Sequence, residues 1–103
     1  MKILAIDQSL SNSGYWIDEN FNGLITTDKK DEMRFRLKDI RDKFFKLSCE
    51  QNIEVVVIEG YSFGAMSNRM ITAGEVGGVI RCMTAELNKP LIIIPSTIKA
   101  PPI

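Results

Sequence analysis

Residues 3–7, Ile3-Leu4-Ala5-Ile6-Asp7, and residues 55–59, Val55-Val56-Val57-Ile58-Glu59, share one pattern: an apolar run closed by a single carboxylate. Each reads as a buried strand, and a charge at the end of a core strand is costly unless something pairs with it. If the two strands lie side by side and parallel, both carboxylates emerge at one edge of the sheet, about 5 Å apart. Two hard oxygen donors at that separation suit Mg²⁺ or Mn²⁺. Such a pair is the seed of a metal-dependent phosphoryl-transfer centre. The plain alternative is two strand-end carboxylates capping neighbouring backbone amides.

The first acidic strand is followed by a polar loop, Gln8 to Gly14, rich in turn formers. Tyr15-Trp16-Ile17 and Leu24-Ile25-Thr26-Thr27 are rich in β-formers, and the Asn22-Gly23 pair between them signals a turn. Residues 2 to 27 are therefore expected to form a three-stranded antiparallel meander. Met33, Leu37, Ile40, Phe44 and Leu47 then recur at helical spacing. Asp28 or Asp31 is expected to cap that helix and Asn52 to end it. The Glu54–Glu59 strand is apolar throughout its middle, as a central strand covered on both faces would be.

A second helical pattern runs from about Ser67 to Leu87, with Met70, Ala73, Val76, Gly77, Ile80, Met83, Thr84 and Leu87 on one face. Gly74, Gly77 and Gly78 lie inside it, each costing about 1 kcal/mol relative to alanine. Such costs point to close packing on a sheet or to close approach of a substrate backbone. Asn88-Lys89-Pro90 ends the helix, and Leu91-Ile92-Ile93-Ile94 reads as a short buried strand. The order β-β-β-α-β-α-β predicts an α/β fold: a mixed five-stranded sheet with helices on its faces, strands 1, 4 and 5 running parallel.

At 103 residues the chain is expected to form one domain, residues 1–103, of ordinary globular composition. No apolar run approaches the roughly 20 residues of a membrane span. The N-terminus runs straight into a strand pattern without a signal-peptide cleavage site. Cys49 and Cys82 read as free thiols, so a reducing, cytoplasmic setting is expected. The chain has no histidine, which excludes Ser-His-Asp and Cys-His nucleophilic machinery and histidine zinc sites. Thirteen basic and 13 acidic residues balance, so no global field announces a nucleic-acid partner.

Three ordered blocks resemble the RuvC-type Holliday-junction resolvases, crossover junction endodeoxyribonucleases of the ribonuclease-H-like superfamily. They are Ala5-Ile6-Asp7 continuing to Gly14-Tyr15-Trp16, then Val57-Ile58-Glu59-Gly60-Tyr61-Ser62-Phe63, then Gly74-Glu75-Val76-Gly77-Gly78-Val79-Ile80. Pro95-Ser96-Thr97-Ile98-Lys99 corresponds to the start of the family's next helix, and the second block is closest in wording to phage and prophage members. Gln8-Ser9 stands where the family usually has Pro-Gly. The chain stops at Ala100-Pro101-Pro102-Ile103, before the family's lysine-rich loop and final acidic helix. The expectation is a truncated chain, a shortened gene or a divergent remnant, lacking that helix.

The resemblance implies a Mg²⁺- or Mn²⁺-dependent endonuclease resolving branched DNA, acting as a homodimer without a small-molecule cofactor and feeble or inactive at this length. It implies Asp7 and Glu59 as catalytic metal ligands. Glu75 is a further candidate ligand, against an ordinary solvated role. Ser9 and Ser13, with Ser11 and Asn12, are candidate hydrogen-bond donors to a phosphate. Tyr61 and Phe63 are candidates to stack on an unpaired base, against core packing. Arg69, Arg81 and Lys99 are candidate phosphate contacts, against solvated surface roles. Two other classes stand beside this one: a catalytically inactive nucleic-acid-binding module, and a fragment of an actin-like ATPase fold, whose first strand also ends in Asp before a glycine-containing hairpin.

Overall fold

The computed structural model describes residues 1–60 and 68–95. Along the chain it runs β1 (Ile3–Asp7), β2 (Asn12–Asp18), β3 (Phe21–Thr26), α1 (Met33–Glu50), β4 (Val55–Gly60), α2 (Asn68–Leu87) and β5 (Leu91–Pro95). The strands form one sheet in the order β3-β2-β1-β4-β5. β1 pairs antiparallel with β2, and β2 with β3. β1 pairs parallel with β4, and β4 with β5. This is the mixed five-stranded sheet that the element order predicts.

Both helices pack on the same face of that sheet, not one on each. Ile40 and Phe44 of α1 and Val76, Ile80 and Met83 of α2 form one core cluster with Leu4, Ile6, Val56 and Ile58. The hand of the crossovers explains this. Two antiparallel pairings separate β3 from β1, so β3 runs parallel to β4, and both β3–α1–β4 and β4–α2–β5 step toward the β5 edge. Two right-handed crossovers in one direction deposit their helices on one side. The opposite face carries Trp16 at 52%, Leu24 at 64%, Ile92 at 52% and Ile94 at 45% exposure. β4 is thus an apolar central strand covered on one face among the described residues.

Two local expectations are corrected. The β2–β3 turn is at Glu19-Asn20, not Asn22-Gly23, which lie within β3. Asp18 decides it: its Oδ1 accepts the backbone N–H groups of Asn20 at 2.8 Å and Phe21 at 3.0 Å. That side-chain turn competes successfully with the Asn-Gly preference. The α1 cap is Glu32, without a side-chain capping bond. Asp28 instead closes the preceding turn, its Oδ1 accepting the N–H of Lys30. Asn52 does end α1, and Asn88 ends α2, each with φ of 53°.

A charged cluster ties the helices outside the core. Arg41 pairs with Glu86 of α2 and with Asp42, and Lys38 also reaches Asp42 at 2.6 Å. The hydrogen bonds from Lys38 and Arg41 hold the Asp42 carboxyl below its usual range, and the bond to Glu86 pushes the Arg41 guanidinium up. These groups are solvated, so packing rather than charge carries the stability.

Phe44 is wholly buried and meets Tyr15 edge-on with ring centroids 6.2 Å apart. Phe44→Ala is expected to cost about 3–5 kcal/mol in urea unfolding. Gly78→Ala, whose added Cβ meets nothing within 4 Å, is expected to stabilise by up to about 1 kcal/mol.

Candidate metal centre

β1 and β4 deliver both acids to one place. Their parallel register pairs Ile3 with Val55, Leu4 with Val56 and Ala5 with Val57. The same offset carried further sets Asp7 level with Glu59. Leu4 and Ile6, like Val56 and Ile58, point into the helix-covered core. Alternation along a strand therefore sends Asp7 and Glu59 to the opposite, open face. Asp7 also pairs with Gly14, Gly14 with Leu24, and Glu59 with Ile94. One row thus crosses all five strands with two carboxylates at its centre and hydrophobes at its ends. Both acids line an open cavity of about 740 Å³ together with Ala5, Trp16, Leu24, Val57 and Ile94.

The neighbours hold this edge in shape. Gly14 leaves space beside Asp7, since a Cβ there would lie 3.8 Å from the Asp7 Cβ, in ordinary contact. Gly60 is more constrained: a Cβ would come within 2.7 Å of Ile93 Cγ2. Gln8, only 3% exposed, turns its side chain to β4, where its Nε2 donates to the Glu59 carbonyl and its Oε1 accepts the Glu59 N–H at 3.2 Å.

The loop after Asp7 is braced from within. Ser13 is fully buried; its Oγ accepts the Ser9 N–H at 2.9 Å and donates back to the Ser9 carbonyl at 2.5 Å. The Ser13 hydroxyl, a candidate phosphate donor, is thus engaged within its own loop. Ser9 is half-buried in the same loop. Arg36 of α1 donates to Thr27 Oγ1 at 2.9 Å and to Ser11 Oγ at 3.0 Å, and Thr27 Oγ1 donates to the Leu10 carbonyl at 2.6 Å. Gln8 and Arg36 were legible only as polar positions, because what they bond is distant in sequence.

The remaining candidates scatter. Glu75 is exposed on α2 and does not line the cavity. No group of three or more Asp, Glu, Cys or His able to hold a metal exists among the described residues. Arg81 is exposed on α2, which packs on the other face from the acids. Arg69 lies in the first turn of α2, and Tyr61, Phe63 and Lys99 lie outside the described residues. Cys49 and Cys82 are free and exposed, and no described helix is long and apolar enough to cross a membrane.

The chain is 34% identical over 99 residues to the crossover junction endodeoxyribonuclease RuvC of Thermosipho melanesiensis, a match covering 88% of this chain and 63% of that protein. Over most of its length the chain is thus similar in sequence to a RuvC protein. Its fold matches Thermus thermophilus RuvC, solved in complex with a Holliday junction substrate, with a TM-score of 0.80 at 16% identity over 92% of this chain and 65% of that one. A second Thermus thermophilus RuvC structure matches with a TM-score of 0.76 at 15% identity, covering 92% and 64% of the two chains. No protein-family model matches. The RuvC likeness establishes the ribonuclease-H-like sheet, while the chain spans 63% of the length of its curated relative.

Ser13→Ala would leave the Ser9 N–H and carbonyl without their partner. A loss of about 1–3 kcal/mol in thermal unfolding is expected, with the fold retained by circular dichroism.

Proposed function

We propose that this chain is the core of a metal-dependent endonuclease that hydrolyses phosphodiesters in branched DNA, acting as a single ribonuclease-H-like domain. The observation that carries the proposal is the central row of the open face, where Asp7 and Glu59 continue the offset of the β1–β4 pairing and both line one open cavity. Homology to RuvC and the fold shared with a junction-bound RuvC support the substrate class.

Two carboxylates fit Mg²⁺ or Mn²⁺ better than a softer ion. Magnesium is characteristically held by one or two carboxylates, retains water, and completes its shell with substrate phosphate oxygens. Asp7 and Glu59 would hold it. When bound, such an ion supplies charge neutralisation at the scissile phosphate and a lowered pKa for attacking water. The chain's own contribution is positional. β1 and β4 fix where the acids emerge, and Gln8 holds the Glu59 backbone. Two acids do not form a closed cage, so slow cleavage and a dependence on substrate oxygens are expected. Symmetric cutting of a four-way junction requires two such sites, which supports a homodimer.

The comparisons favour neither the inactive module nor the ATPase fragment. The test is cleavage of a labelled four-way junction with Mg²⁺ or Mn²⁺. Slow cutting is expected, with Asp7→Asn and Glu59→Gln each lowering the rate by about 100-fold or more, the scale of losing transition-state charge stabilisation. Cutting unaffected by either substitution would overturn the assignment. Junction binding without cutting would make the chain an inactive binding module.

A further inference from the structure

Gln8 directly follows the first acid, and its contacts give it a defined task. The β1–β4 backbone register ends at Ala5–Val57, yet Glu59, two residues further, is still tethered to the end of β1. Its N–H and carbonyl are both taken by the Gln8 side chain, whose amide donates with Nε2 and accepts with Oε1. A carboxamide can do this in one orientation only, with the nitrogen toward the carbonyl. The side chain thus replaces a missing rung of the backbone ladder at the level of the two carboxylates. Because Gln8 is 3% exposed, its amide is lodged between the sheet and α2.

The lodging depends on a glycine. A Cβ on Gly77 of α2 would lie 3.1 Å from Gln8 Nε2, a contact too tight to accept without movement, whereas one on Gly74 would meet nothing within 4 Å. Gly77 is buried and Gly74 exposed. Of these helix glycines, Gly77 has a contact that explains its helical cost.

We propose that Gln8 is a positioning residue that sets the Glu59 carboxylate opposite Asp7, and that Gly77 admits it by leaving room on α2. The inference rests on the reading of Asp7 and Glu59 as cation ligands. Gln8 acts on the ion only through Glu59, as outer partners of metal ligands do. Helix α2, on the covered face, is thereby coupled to a site on the open one.

The test is Mn²⁺ titration of this chain by calorimetry, with folding monitored by circular dichroism. Gln8→Leu, which keeps bulk without the amide, is expected to raise the Mn²⁺ Kd about 10-fold or more. Gly77→Ala should raise it less, and Gly74→Ala should leave it unchanged. Gly77→Ala added to Gln8→Ala should have no further effect, since the neighbour it displaces is gone. If Gln8→Leu unfolds, Gly77→Ala against Gly74→Ala carries the comparison. Equal Mn²⁺ affinity in folded Gln8→Leu and the parent chain would overturn the role of Gln8. Undiminished Mn²⁺ binding in Asp7→Asn would instead overturn the cation site itself. Amide hydrogen exchange separates the two cases: Glu59 exchange must accelerate in Gln8→Leu, and unchanged exchange would show that Gln8 does not hold Glu59.

Discussion

Ile3–Val55, Leu4–Val56 and Ala5–Val57 are the register positions that join two distant parts of the chain side by side in parallel. Because side chains alternate along a strand, this alignment decides two things together. It gathers Leu4, Ile6, Val56 and Ile58 into the core, and it sends Asp7 and Glu59 to the other face. A slip of one residue would bury a carboxylate and expose an isoleucine. Burial of the apolar set therefore enforces the geometry of the acids. Loss of solvation at a misplaced Asp or Glu opposes every alternative pairing.

The hand of the crossovers supplies the second constraint. With β3, β4 and β5 stepping in one direction, α1 and α2 occupy one face, and the acids face away from both. The consequence is a row of hydrophobes around charged groups: Leu24 and Ile94 stand level with the acids, with Trp16 and Ile92 in the next row. The same face exposes more hydrophobic surface than scattered single residues would.

The elements most legible in the sequence were those with long period signals. The Leu37–Leu47 stripe, the Ala73–Met83 face and the two acid-terminated strands all match observed elements. Asp7 and Glu59 were legible because an acid closing an apolar run has few structural excuses. What escaped was set by contacts between residues far apart, or by rival local chemistry. Asp18 captured the hairpin turn that Asn22-Gly23 advertised. Ser13 looked like an available hydroxyl and is sealed inside its loop. Gln8 and Glu59 are 51 positions apart in sequence, so no spacing rule connects them. The common face of the helices followed from strand order, which the linear pattern leaves open.

The polar groups nearest Asp7 are largely committed to the scaffold. Ser13 closes its loop, Gln8 grips β4, and Thr27 and Arg36 brace Leu10 and Ser11. This commitment keeps the edge rigid, and it also removes donors that might otherwise meet a phosphate. The chain's net charge is zero, and its two central acids repel a polyanion at the very point where chemistry is proposed. On the proposed reading, attraction at that point must come from the cation, the largest local charge in such a site and able to invert its sign. The acids then serve substrate binding as much as hydrolysis. On that reading, a carboxylate pair that would repel DNA when empty would become, once neutralised, the place where the backbone is held.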